Sequence, residues 1–204
     1  PEKLQRLFET IKKNANYDNY EIIVKTDEMP PNNIGAPKML KKCVAESTGE
    51  LVMFLGNDTV PESNFLQEAV WAKIRNFPEL DGMIGMNDQY WKKGDVATHW
   101  LASKKLLPYL DGEFFHTGYN HTGCDNELLA RCEKIGKYAW AEKAKIFHDH
   151  PINNGFTSGV DELYAQAYAG PRHEADDKLY KARAKMFGFD KRNWVNAFQY
   201  ANSA

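Results

Sequence analysis

The side chains of this sequence that can do chemistry stand at the ends of short apolar runs. In Gly49-Glu50-Leu51-Val52-Met53-Phe54-Leu55-Gly56-Asn57-Asp58-Thr59-Val60-Pro61, five consecutive apolar residues lead to two polar ones and a turn. A short apolar run bounded by Gly and Pro has the pattern of a strand buried on both faces of a parallel sheet. Ligands of open α/β sheets sit outside the carboxyl ends of such strands, and Asn57 and Asp58 are the first polar side chains there. The competing reading of Asp58 is an Asx turn that merely closes the strand.

Three further groups have the right types and spacing. Asp125 and Glu127 fall at a helix start in Gly123-Cys124-Asp125-Asn126-Glu127-Leu128-Leu129-Ala130-Arg131. A carboxylate there can accept a proton from a hydroxyl within hydrogen-bond reach. Alternatively, Thr122-x-x-Asp125 is a capping box that only satisfies helix-end amides. His148 and His150 share one face of a strand end, either as a pair of metal ligands or as polar termination. Lys38 follows a Gly-containing loop at a helix start, where charge and dipole together can meet a phosphate oxygen, or where it is an ordinary surface lysine. Trp91, Trp100, Phe115, His116 and Tyr119 offer amphipathic aromatic faces that suit a sugar ring, and such residues also fill cores.

These groups need elements to position them. Leu4, Leu7, Phe8 and Ile11 repeat at i, i+3, i+4, i+7 and predict a helix over 2–14. The β-branched run Tyr20 to Thr26 predicts a strand, ending at Asp27. Pro37 starts a helix that carries Leu40, Cys43 and Val44 inward up to Ser47. Ser63 is placed to cap a helix burying Phe65, Leu66, Ala69, Val70 and Ile74, which stops before Pro78. Met83 to Met86 is the next short strand. The alternation argues for a parallel sheet with crossover helices. Beyond it we expect a strand over 96–103, a short helix over 104–110, a turn at Asp111-Gly112, a helix from Glu127 to Ile135 closed by Gly136, and a strand over 138–146. Residues 152–159 read as loop and the remainder as charged and helical, so the organisation predicted is a domain over 1–151 with a loop and helical extension over 152–204.

With 26 basic and 28 acidic residues, the net charge of −2 gives no footprint for a nucleic-acid backbone or an anionic membrane. No segment approaches the roughly 18 apolar residues of a transmembrane helix, and no signal peptide is visible. Cys43, Cys124 and Cys132 lack paired spacing, which favours reduced thiols and a cytoplasmic setting.

The run from Gly49 to Pro61 resembles the Gly-Glu-(apolar)5-Asp-Asp-Asp-(x)2-Pro segment of family 2 glycosyltransferases, the inverting GT-A enzymes. Gly56 and Asn57 stand where that family has its first two acids, and Asp58 keeps the third. Gly123 to Arg131 resembles the family's Gly-Glu-Asp-x-(Asp/Glu)-Leu-x-x-Arg motif, with Cys124 in place of Glu. The resemblance covers residues 1 to about 151. It implies a mixed, mainly parallel GT-A sheet flanked by helices, and sugar transfer from a nucleoside diphosphate sugar, UDP-based, to a hydroxyl acceptor. By the same resemblance Asp58 and His148 hold a divalent cation, Mn2+ or Mg2+, and Asp125 is the catalytic base with Glu127 in reserve. Asp27, with Thr26 as the other candidate, reads the nucleotide base, while Lys38 and Asn57 complete the donor site. Trp91, Trp100, His116 and Tyr119 are left for the acceptor. The family's opening strand precedes the position of Pro1, so the chain is expected to lack it, as a fragment would. Two other functions are compatible with such a sheet: nucleotidyl transfer to a sugar phosphate, and a degenerate module that binds sugar nucleotide or carbohydrate without turnover.

Overall fold

Alternation along the strands builds two cores, one on each face of a single sheet. The computed structural model describes residues 2–28, 32–90, 95–151 and 170–189. Among them lie α1 (Glu2–Asn14), α2 (Ala36–Glu46), β1 (Leu51–Phe54), β2 (Thr59–Pro61), α3 (Phe65–Asn76), β3 (Met83–Asn87), β4 (Trp100–Ser103), a 3-10 helix (Lys104–Tyr109), α4 (Cys124–Lys134), β5 (Tyr138–His148) and α5 (Gly170–Phe187). Ile84, Met86 and Leu101 face one way and pack with Leu7 and Ile11 of α1 and Phe65, Ala69 and Val70 of α3. Met83, Trp100 and Ala102 face the other way, against Leu40 of α2, Leu128 and Leu129 of α4 and Tyr180 of α5. Neighbouring strand residues thus feed opposite cores, as a period of two requires.

The strand order is β1-β4-β3-β5-β2. The expected mainly parallel ladder is corrected: only β3–β5 is parallel, whereas β1–β4, β3–β4 and β2–β5 are antiparallel. The reason is β4, which follows β3 without a crossover helix among the described residues and therefore returns antiparallel. Because β4 is antiparallel to both β1 and β3, the strands β1, β3 and β5 still run in one direction. Their carboxyl ends share one end of the sheet with the amino end of β4. That arrangement sets the site.

The predicted strand over 20–26 is not formed: the segment has no ladder partner among the described residues. Its anchors are side chains: Glu21 accepts from the Thr48 and Gly49 amides at 2.7 and 3.2 Å, and Lys25 pairs with Glu46 at 2.6 Å. Tyr20, Ile22 and Val24 remain exposed, and β1 is an edge strand of only intermediate burial instead of the doubly buried interior strand expected. Three local expectations also change. Ser63 caps nothing, since α3 starts after Asn64 in a left-handed conformation (φ 64°). Ile74 is 53% exposed, because Lys73 takes the inward position and donates to the Gly82 carbonyl. α4 starts at Cys124, three residues before the predicted Glu127. Gly136 adopts the expected positive φ of 68°. The predicted loop over 152–159 lies outside the described residues.

Candidate metal centre and its neighbours

The turn after β1 and the end of β5 are held together by backbone pairing. Thr59 of β2 is in register with His148 of β5, and the Asp149 amide donates to the Asp58 carbonyl at 2.8 Å. Asp58 Oδ2 therefore lies 3.4 Å from His148 Nε2. Across the sheet end, His99 immediately precedes β4, and its ring meets that of His148 edge-on with centroids 4.6 Å apart. One ligand atom from each of Asp58, His99 and His148 lies within 4.8 Å of the other two. His150 is adjacent, its ring centroid 5.0 Å from that of His148.

Gly56 explains how three such groups fit together. A Cβ at this position would stand 2.5 Å from Asp58 Oδ1 and 3.5 Å from His99 Nε2. Any side chain there, including a carboxylate, must displace Asp58. The cradle is thus left open by the glycine, and its donor set of two imidazoles and a carboxylate fits a divalent ion.

Electrostatics favour the ligating forms. Burial alone would raise the Asp58 carboxyl, but the His148 hydrogen bond and the nearby His148, His99 and His150 rings hold it well below the usual carboxylate range. Burial lowers His99 to about 3, with His148 acting in the same direction and Asp58 opposing. The ring is neutral at neutral pH, as a metal ligand must be.

Asp125 lies within electrostatic reach of this centre. Its half-buried carboxyl is raised by burial and by Asp88, against the Asn126 amide bond and the His148 ring. The charge of His148 thus acts on both Asp58 and Asp125. The capping box is not formed: Gly123 is the N-cap residue with no side-chain cap, and Thr122 bonds Asp176 of α5. Oδ1 of Asp125 accepts from the Asn126 amide at 2.9 Å, while Oδ2 takes no hydrogen bond among the described residues.

The loop leading to Asp125 is fixed by α5. The carboxylate of Asp176, 1% exposed, accepts from the amides of Asn120, His121 and Thr122 at 2.7, 2.9 and 2.9 Å. Arg172 of the same helix donates to Asn33 Oδ1 at 2.6 Å. Gly35 closes on this loop, since a Cβ there would stand 2.1 Å from the Asn120 carbonyl oxygen. Helix α5 thus belongs to the site's support.

The other expected residues divide. Asn57 is exposed next to Asp58, and Lys38 is exposed in the first turn of α2. Asp27 folds its own loop, accepting from the Glu28 and Ile34 amides on one oxygen and from Gly35 on the other. Thr26 is exposed. Glu127 is 3% exposed and bound by Arg183, Arg131 and the Tyr119 hydroxyl, a structural ion cluster instead of a reserve base. Trp100 and Tyr119 are fully buried core residues, so neither is an acceptor platform. Trp100 packs with Phe54, Phe114 and Phe115, where large aromatic area is better removed from water than offered to a ligand. His116 is half-buried and bonded to Glu113 at 2.7 Å. Trp91 lies outside the described residues.

Sequence reasoning missed His99, Thr98, Asp88 and Asp176. The Thr98-His99 pair inside the predicted strand 96–103 was the available signal for the first two. Comparison of the chain with protein-family models and with curated proteins gives no match. Among the described residues, no helix is long and apolar enough to cross a membrane.

Proposed function

We propose that the protein transfers a sugar from a nucleoside diphosphate donor, uridine-based, to a hydroxyl acceptor with inversion at the anomeric carbon. One observation carries it: Asp125, a carboxyl raised by burial, feels the charge of His148, which lies 3.4 Å from the carboxylate of the candidate cation site. Asp58 and His148 would hold a divalent cation, Mn2+ or Mg2+, in the space that Gly56 leaves, and the ion would supply Lewis-acid neutralisation of the leaving diphosphate. Asn57, exposed at the same strand end, is positioned for the donor. Asp125 takes the proton of the acceptor hydroxyl as its oxygen bonds the anomeric carbon and the bond to the diphosphate oxygen breaks. A raised carboxyl favours that step, because its affinity for the proton is closer to what neutral pH demands. The GT-A assignment goes with this reading. It is supported by the common direction of β1, β3 and β5 and by the site at their carboxyl ends.

The test is calorimetry with uridine diphosphate, with and without Mn2+, paired with a transfer assay. Cation-dependent binding and turnover are expected. Absence of any uridine diphosphate binding in both conditions would refute the proposal, and binding without turnover for any acceptor hydroxyl would reduce the protein to a sugar-nucleotide-binding module.

A further inference from the structure

His99 has two ring nitrogens, and their surroundings differ. Nδ1 lies 3.1 Å from Thr98 Oγ1. That hydroxyl already donates its single hydrogen to Asp88 Oδ2 at 2.9 Å, so towards His99 it can only accept. The proton of the neutral ring is consequently on Nδ1. This leaves the Nε2 lone pair turned to the Gly56 side, where the absent Cβ gives it access to Asp58. Asp88 is 2% exposed and is itself held by the Tyr90 amide at 3.1 Å. A buried carboxylate, a hydroxyl and an imidazole therefore form a chain that ends in a ligand lone pair. Metal-binding histidines are oriented this way, their second N–H held by an outer partner.

We infer that Asp58, His99 and His148 form a three-ligand site selective for first-row ions that prefer nitrogen, in the order Zn2+, Co2+, Mn2+, over Mg2+ and Ca2+, with Thr98 and Asp88 as positioning residues for His99. The site is the one used by the transferase reading, on which the identity of the remaining ligands rests, and the inference specifies the ion. Two imidazoles with one carboxylate suit ions of the transition series, whereas Mg2+ and Ca2+ select all-oxygen shells. Three protein ligands also leave open positions, the arrangement of a catalytic ion instead of a closed structural one. His99 is buried at 2% exposure, and a ring that reaches water poorly gains most from coordination.

The experiment is metal binding by the full chain, read by competition with a chromophoric chelator and by the visible spectrum of bound Co2+, for wild type, His99→Ala and Thr98→Val. One equivalent of Zn2+ or Co2+ is expected to bind, with Mg2+ in large excess failing to compete. His99→Ala should lose most of that affinity and change the Co2+ spectrum. Thr98→Val, which keeps the shape but not the acceptor, should weaken binding by about 10- to 100-fold. Equal competition by Mg2+, or unchanged affinity and spectrum in Thr98→Val, would overturn the inference even if His99→Ala fails to fold. The two readings also fail separately. Tight Co2+ binding without uridine diphosphate binding refutes the transferase and leaves the site; Mg2+-supported transfer by His99→Ala refutes the site and leaves the transferase.

Discussion

Arg183 of α5 grips Glu127 of α4 with two nitrogens, Nε at 2.9 and 2.7 Å from the two carboxylate oxygens and Nη2 at 2.7 Å from Oε1. Arg131 and Asp111 extend the pair, and Tyr119 donates to Glu127 at 2.8 Å. Burying such charges is costly, but removing one partner is worse because the other stays buried and uncompensated. Glu127→Ala is expected to lose about 3–5 kcal/mol of stability in denaturant unfolding. Loss of turnover in Glu127→Gln at unchanged stability would instead make Glu127 a participant in the chemistry.

Asp125 predicts the opposite pattern. Asp125→Asn keeps the Asn126 contact and removes only the charge and basicity, so donor binding should hold and the melting temperature should hold or rise, since burial disfavours the charge. Transfer should fall by about 10²- to 10⁴-fold, the usual contribution of a general base. Near-normal transfer would remove Asp125 from the mechanism.

Gly56→Ala tests the cradle without replacing a ligand. Its Cβ would crowd Asp58 Oδ1 at 2.5 Å, and that residue must turn away. We expect metal affinity to drop by at least about tenfold, the effect of a misplaced ligand, with the helical and sheet circular dichroism retained. Undiminished affinity would show that Asp58 is not a ligand.

Lys73 gives a pH signature far from the site. Burial lowers its ammonium to about 8 from 10.5, against the attraction of Asp81, Cys132 and Glu50. Between these values the unfolded chain holds the proton and the folded one releases it, so the Lys73 contribution to stability rises with pH from about 8 towards 10.5, against the buried Cys124 and Cys132 thiols, whose raised pKa values cost stability above about 9. That contribution is on the order of 3 kcal/mol. The difference in urea unfolding free energy between wild type and Lys73→Met should rise by that amount over the same range. A difference that stays flat would assign the titration to another group.

Local chemistry determined much that was legible in the sequence. The period of Leu4, Leu7 and Ile11 produces α1, Pro37 starts α2, and the apolar run from Leu51 ends at Asp58, because side-chain spacing and backbone restriction act over a few residues. Asp58 and His148 could be singled out for the same reason, as polar groups at strand ends. Only the tertiary structure decided the direction of β4, and direction decided the third ligand. Since β4 runs against β1, β3 and β5, its first residues, not its last, reach their carboxyl ends, and His99 arrives beside Asp58 from the wrong end of its strand for a reader of sequence. The roles of Glu127 and Tyr119 were also settled there. A carboxylate near a helix start and a tyrosine eight positions earlier look available for ligands until Arg183, 56 residues along the chain, lies against them. Long-range pairing of this kind depends on which faces the folded layers bury, and no local pattern encodes it.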